Sequence, residues 1–191
     1  MTIFFTSDLH LGHSNVIKYC RRPFANADEM DATIIKNWNR VVTPKDTVYI
    51  LGDFAFHSAE RAIAIARGLN GHKHLVFGNH DRGNRSKYAA GKTGGPFQSV
   101  SDLKEINHEG QKIVMCHYAL LTWHGSSRGA WMLHGHSHGS LKTDTKSRRL
   151  DVGVDCFGFT PVSFDEVAAI MAKRSFKPLD HHGREADTED L

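Results

Sequence analysis

Thr47-Val48-Tyr49-Ile50-Leu51-Gly52-Asp53 is the stretch on which the fold turns. Its apolar residues are consecutive rather than alternating. A short run of this kind reads as a strand covered on both faces, as in a layered α/β sheet. The run then stops at a glycine and a carboxylate. On its N-terminal side, Thr43-Pro44-Lys45-Asp46 ends a helical pattern in which Met30, Ile34, Trp38 and Val41 recur every three or four residues. Asn26, with Glu29 three residues later, resembles a capping box for that helix, and Asp28 is the other candidate cap. On the C-terminal side, Ser58 opens a helix through Ala62, Ile63, Ala66 and Leu69, closed by Asn70-Gly71. Two similar apolar runs flank this unit: Ile3-Phe4-Phe5-Thr6, ending at Ser7-Asp8, and His74-Leu75-Val76-Phe77, ending at Gly78-Asn79-His80-Asp81. The result is β-α-β-α-β, an α/β pattern.

The second half changes character. Residues 103–106 and 112–116 flank Asn107-His108-Glu109-Gly110 as a hairpin, and residues 130–133 and 149–154 read as further strands. Ser163 and Glu166 form the capping box of a last helix through Val167, Ile170 and Met171. No repeat or low-complexity linker interrupts the pattern. We expect one domain over residues 1–176 and a flexible, polar, acidic tail over 177–191.

The 191 residues are 40% hydrophobic and 24% charged, which excludes disordered, collagen-like and coiled-coil chains. The net charge is +3. The tail holds two basic and five acidic residues, so the body carries +6, a mild preference for anionic ligands. Three cysteines without a Cys-x-x-Cys pair argue against a disulfide framework and for a reducing compartment. With neither a signal-peptide pattern at the N-terminus nor a membrane-length apolar run, the expected location is the cytoplasm. The anomaly is histidine, with 14 copies. It is the commonest metal ligand and titrates nearest neutrality.

Position is more informative than number. Asp8-Leu9-His10 follows the first strand, Gly52-Asp53 the second and Gly78-Asn79-His80-Asp81 the third. His117 follows the run ending at Cys116, and Gly135-His136-Ser137-His138 follows the run ending at His134. The carboxyl ends of strands are where open α/β sheets bind ligands. Residues i and i+2 of an extended segment point the same way, so Asp8 with His10, and His136 with His138, can each present two ligands together. Any one of these pieces is an ordinary turn or a hydrogen-bonded core histidine. Five of them at strand ends would, without a shared purpose, bury several unpaired polar clusters at several kcal/mol each.

The ordered set Asp-x-His, Gly-Asp, Gly-Asn-His-Asp, His and Gly-His-x-His, complete from Asp8 to His138, resembles the calcineurin-like metallophosphoesterases. The segment Asp8-Leu9-His10-Leu11-Gly12-His13, with Arg22-Pro23-Phe24, is similar to the small stand-alone bacterial and phage members. The resemblance implies a two-sheet mixed β-sandwich flanked by helices, with the site at the C-terminal ends of the strands. It also implies a centre of two divalent metal ions that hydrolyses phosphoesters. By the same resemblance Asp8, His10, Asp53 and His138 hold one ion, and Asp53, Asn79, His117 and His136 the other, with Asp53 bridging. His80 is no ligand but faces the scissile phosphate and protonates the leaving oxygen, and Asp81 orients its ring.

The chemistry requires these residue types. A phosphodiester is anionic and repels hydroxide. Two cations roughly 3.5–4 Å apart neutralise it and align the attacking and leaving oxygens, and a bound water can have its pKa lowered from about 15.7 to near 7. No protein nucleophile is needed, in agreement with the absence of a Gly-x-Ser-x-Gly elbow and of a phosphate-binding Gly-x-x-x-x-Gly-Lys-Ser loop. All-nitrogen-and-oxygen donors suit Mn, Fe, Co, Ni or Zn. His13 reads equally as a phosphate contact or a helix cap. Arg82, Arg85, Lys87 and Lys92 form a phosphate-attracting rim or a solvated face, and Lys142, Lys146, Arg148 and Arg149 a second such run. Trp123 to Arg128 is expected to overhang the cleft, with Arg128 on a phosphate. His134 reads as packing, His57 has no role, and Asp151 and Asp155 read as strand-end residues. The Asp-Arg-Gly of protein phosphatases is missing after Asp53. The leading expectation is therefore a phosphodiesterase acting on a small or nucleotide-like phosphoester, or on a nucleic-acid end. The alternatives are a broad phosphomonoesterase or, less favoured, a scaffold that has kept the fold without the activity.

Overall fold

A computed structural model describes residues 1–88, 95–142 and 146–177. Lys92 and the tail beyond residue 177 lie outside these. Strands β1 (Ile3–Thr6), β2 (Thr47–Ile50), β3 (His72–Val76) and β4 (Ser99–Ser101) are parallel neighbours in one sheet. β9 (Val162–Ser163) runs antiparallel along the far side of β1, giving the order β4-β3-β2-β1-β9. β5 (Leu103–His108) and β6 (Gln111–Cys116) form the expected hairpin. β7 (Trp131–His134) and β8 (Arg149–Asp151) continue that sheet in parallel, in the order β5-β6-β7-β8. Both sheets are therefore mixed, in the arrangement the resemblance implies.

The consecutive apolar residues of β2 now have a cause. Val48 and Ile50 join Phe4 and Leu75 in a core built with Met30, Ile34 and Trp38 of α2 (Ala27–Val41) and Ala62, Ile65 and Ala66 of α3 (Ala59–Gly68). Tyr49 and Leu51 point the other way, with Phe5 and Val76, against Ile113, Met115, Trp131 and Leu133 of the second sheet. That inter-sheet core also takes Phe164, Val167 and Met171 from α5 (Phe164–Ala172). β1, β2 and β3 thus each have one face under helices and the other against the second sheet.

The caps follow the sequence closely. The Asn26 side chain accepts the Glu29 N–H, so Asn26 rather than Asp28 opens α2, while Glu29 reaches Ala25 N instead of closing a true capping box. Ser58 caps α3, and Ser163 with Glu166 completes a capping box on α5. The strand expected to continue to residue 154 ends at Asp151, where the Asp151 side chain accepts the Gly153 N–H and turns the chain. Two short helices complete the set: α1 (Ser14–Tyr19) and α4 (Arg85–Tyr88). Among the described residues no helix is long and apolar enough to cross a membrane.

Candidate metal centre

The candidate residues leave their strands on loops that run side by side. The Asp8 N–H bonds Gly52 O at 3.0 Å, and the His10 N–H bonds Asp53 O at 3.0 Å. These loops are locally strained. Asp8, His10, Asp53, His136 and His138 have φ of +57°, +52°, +55°, +67° and +47°. Left-handed backbone at such residues costs roughly 1–3 kcal/mol each and persists where the surroundings enforce it. Two motif glycines make the close approach possible. A Cβ at Gly78 would collide with the Asp53 carboxylate, and one at Gly135 with the side chains of Ser7 and Asp8.

The candidate ligands converge, and Asp8 belongs to two of the groups they form. Asp8, His10 and His138 bring one donor atom each within 4.8 Å of one another, as do Asp8, Asp53 and His117. Asp53 Oδ2 lies 3.6 Å from His10 Nε2 on one side and 3.5 Å from His117 Nε2 on the other. His138 Nε2 is 3.9 Å from Asp8 Oδ1. Asn79 Oδ1 is 3.0 Å from His117 Nε2 and 3.1 Å from His136 Nδ1. A cation about 2.0–2.2 Å from each nitrogen or oxygen sets its ligand atoms roughly 3–4 Å apart. The donor set therefore fits divalent metal. A second observation agrees: His10 Nε2 is buried with no hydrogen-bond partner, facing the carboxylates of Asp8 and Asp53. An imidazole nitrogen stranded in that way is costly unless a cation takes its lone pair.

Burial dominates the electrostatics of the first loop. Burial pushes the Asp8 carboxyl up to about 7 and the His10 ring down to about 3. Burial also pushes Asp53 upward, but the His117 hydrogen bond and charge, together with the His80 N–H, outweigh it and hold Asp53 below the ordinary carboxylate value. A divalent cation favours the states that ligation needs, a charged carboxylate and a neutral imidazole.

Neighbouring groups fix the rings. His117 Nδ1 lies 2.7 Å from Leu51 O, so it donates there and leaves Nε2 free for a ligand role. His138 Nδ1 lies 2.7 Å from Asp155 Oδ2. Asp155 is in turn gripped by Arg22, Nε and Nη2 each at 2.8 Å. The buried Arg22 guanidinium also donates to the carbonyls of Asp8, at 2.7 Å, and Leu9, at 3.0 Å. One arginine thus ties the first loop to the carboxylate that aims His138. Asp155 is an orienting partner, a role the sequence reading missed, because Arg22 and Asp155 are 133 residues apart and no motif joins them. His57 also gains a role. Its Nε2 lies 2.7 Å from Asp31 Oδ2, while Asp31 Oδ1 accepts the Gly12 N–H, which steadies the turn between His10 and His13.

Several expectations need correction. Asp81 does not orient His80. Its carboxylate accepts the N–H groups of Asp53, at 2.8 Å, Phe54, at 3.1 Å, and Gly78, at 2.8 Å, clamping the second loop to the third. The carboxylate turns inward and is buried, whereas His80 faces the cleft with its side chain 43% exposed. Arg128 does not reach the cleft. β6 and β7 are parallel, so the chain must return to the start of β7, and Arg128 lies there in a shallow groove with Gly110, Gln111 and Lys112. Trp123 follows that return path, bonded to Ala130 O, and does not overhang the centre. Arg82 is exposed on the turn after Asp81 and does not line the cleft. Arg85 pairs with Asp102 and Lys87 with Glu60, so neither forms a free phosphate rim. Arg148 lies over Phe176 and Arg149 bonds Leu120 O, away from the centre.

His13 does enter the cleft. It makes no side-chain cap on α1, and its ring stacks on Phe56 at 3.7 Å and 11°. Phe56 also approaches His80 at 4.7 Å, and Tyr118 packs edge-on against His117 and His136. Neither aromatic was legible as a cleft residue, since both follow the motifs in short apolar stretches, Phe54-Ala55-Phe56 and Tyr118-Ala119-Leu120-Leu121, without a period to say which way they face. The cleft, about 370 Å³, is lined by His10, His13, Asp53, Asn79, His80 and His136, among others.

A family model described as the calcineurin-like phosphoesterase superfamily domain matches residues 1–157, a span that includes Asp155. An uncharacterized protein of Methanocaldococcus jannaschii is 34% identical over 178 residues, covering 90% of this chain and 92% of its own. The gene 66 protein of Mycobacterium phage L5 is 30% identical over 191 residues, covering 85% of this chain and 90% of its own. A crystal structure of a protein of unknown function from Aquifex aeolicus superposes with a TM-score of 0.70 at 26% identity, over 88% of this chain and 98% of that one.

Proposed function

Since the chain belongs to the calcineurin-like phosphoesterase superfamily, we propose that it is a two-metal phosphohydrolase that favours phosphodiesters. The single observation that carries this reading is Asp53 Oδ2, set between His10 Nε2 at 3.6 Å and His117 Nε2 at 3.5 Å. Asp8, His10, Asp53 and His138 would hold one ion, and Asp53, Asn79, His117 and His136 the other. When bound, the two ions supply Lewis acidity toward the phosphate and an activated water at neutral pH.

The chain's own residues do the rest. His80, beside the bridging carboxylate at 4.0 Å but partly exposed, donates a proton to the leaving oxygen as the phosphorus–oxygen bond breaks. His13, held by Phe56, faces the same space and contacts a phosphate oxygen. Asp81 keeps the loops of Asp53 and Asn79 in register, so the ligands are arranged before substrate arrives. Nitrogen and oxygen donors support Mn, Fe, Co, Ni or Zn over a soft-metal site. Three unpaired cysteines support a reducing, cytoplasmic setting.

The test strips the protein of metal, restores Mn, Ni or Zn separately, and assays bis-p-nitrophenyl phosphate against p-nitrophenyl phosphate. Metal-dependent turnover of the diester, faster than of the monoester, is expected. Faster monoester turnover would reverse the diester preference, and no turnover of either with any metal would overturn the hydrolytic reading.

A further inference from the structure

A second cleft, about 530 Å³, adjoins the first. The two share Tyr19, Cys20, His136 and His138 and diverge from there. The first runs toward Phe56 and His80. The second runs toward Arg21 and the loop from Ser137 to Ser140. A phosphate held beside His136 and His138 therefore has room on both sides. A diester has two ester arms to fill such a space, whereas a monoester has one.

Tyr19 stands at the junction, the last residue of α1, and is 76% exposed. Among the described residues no ring stacks on it and no side chain bonds its hydroxyl. Phe56 differs, because His13 already covers one of its faces. A large ring kept in water where two clefts meet is available for stacking, and a planar heterocycle is the group that gains most from such a face. Arg21, exposed along the second cleft, adds positive charge beside it.

We propose that Tyr19 is the stacking platform for a nucleobase or aryl group carried next to the scissile phosphate, which makes it a specificity-determining residue for nucleotide-type diesters. This inference deepens the phosphodiesterase reading and rests on it for the position of the phosphate.

The test is calorimetric binding to the metal-loaded protein, using adenosine 5′-monophosphate and methyl phosphate as probes. The wild type is expected to bind the nucleotide at least about fivefold tighter than methyl phosphate, the low end of what one stacked base contributes. Tyr19→Ala should bring the two affinities within about twofold of each other while leaving methyl phosphate unaffected, and Tyr19→Phe should keep the wild-type ratio. Equal affinities in the wild type, an intact ratio in Tyr19→Ala, or no binding of either probe would overturn the proposal. Hydrolysis of bis-p-nitrophenyl phosphate is scored separately. Base-selective binding lost in Tyr19→Ala, without hydrolysis, would leave the platform standing and overturn the enzymatic reading instead.

Discussion

Asp8, His10, Asp53, His136 and His138 all hold left-handed backbone, and all five are candidate ligands. Strain gathered on the residues that would hold the ions is what preorganisation of a site requires. The roles separate sharply at this scale. His80 lies beside the ligand groups, its Nε2 4.0 Å from Asp53 Oδ2 and its side chain 43% exposed, and the proposed mechanism makes it a proton donor rather than a ligand. His80→Ala should lower turnover by about 10²–10⁴-fold while the bound metal, read by elemental analysis, stays unchanged; metal loss would make His80 a ligand. Asp155 acts through His138. Asp155→Asn should weaken metal affinity by about 10–100-fold in a metal titration, with the fold retained by circular dichroism, and wild-type affinity would exclude an orienting role. The ligand residues were legible because each sits where an apolar run stops. Asp155 and Arg22 were not, since their bond is made only once residues 133 apart have folded together. Asp81 was visible but misread: its neighbour in sequence is His80, yet its hydrogen-bond partners are the backbones of residues 53, 54 and 78.

At the scale of elements, β1 and β2 are stapled at their starts by Asp46. Its carboxylate accepts the Thr2 N–H at 2.7 Å, the Thr43 hydroxyl at 2.7 Å and the Thr43 N–H at 2.8 Å. The Thr2 N–H first, then the Thr43 hydroxyl, holds its pKa below the ordinary 3.8. A carboxyl with a lowered folded pKa contributes stability that is fully present above the unfolded value and is lost as pH falls through the folded one. Asp46→Ala should therefore cost about 1–3 kcal/mol near neutrality, and urea melts should show the gap narrowing below pH 3.8. A gap independent of pH would show that the charge is not what matters. Long elements were legible because caps and periodicity agreed, as at Asn26, Ser58 and Ser163. β4 and β9 were not. They span three and two residues, and only their pairing with β3 and β1 makes them strands. The path from Trp123 to Arg128 was misjudged because β6 and β7 were not known to be parallel, and that orientation alone sends Arg128 to the far end of the sheet.

At the scale of the whole molecule, two sheets and their helices bring loops from residues 8 to 138 onto one edge, where buried carboxylates and imidazoles lie close together. Cations that bind only the folded chain must stabilise it by mass action. At a hundred times the dissociation constant this is about 2.7 kcal/mol, or roughly 5–10 °C in Tm for a chain of this size. A thermal melt of metal-free protein with and without Mn should show that rise, and coincident melts would argue against a preformed site. The most direct test of the shared-carboxylate centre is anomalous diffraction from crystals of the Mn-loaded protein. The account predicts two peaks about 3.5–4 Å apart, both in contact with Asp53, one beside His10 and His138 and the other beside His117 and His136. A single peak, or two peaks that do not share Asp53, would contradict it.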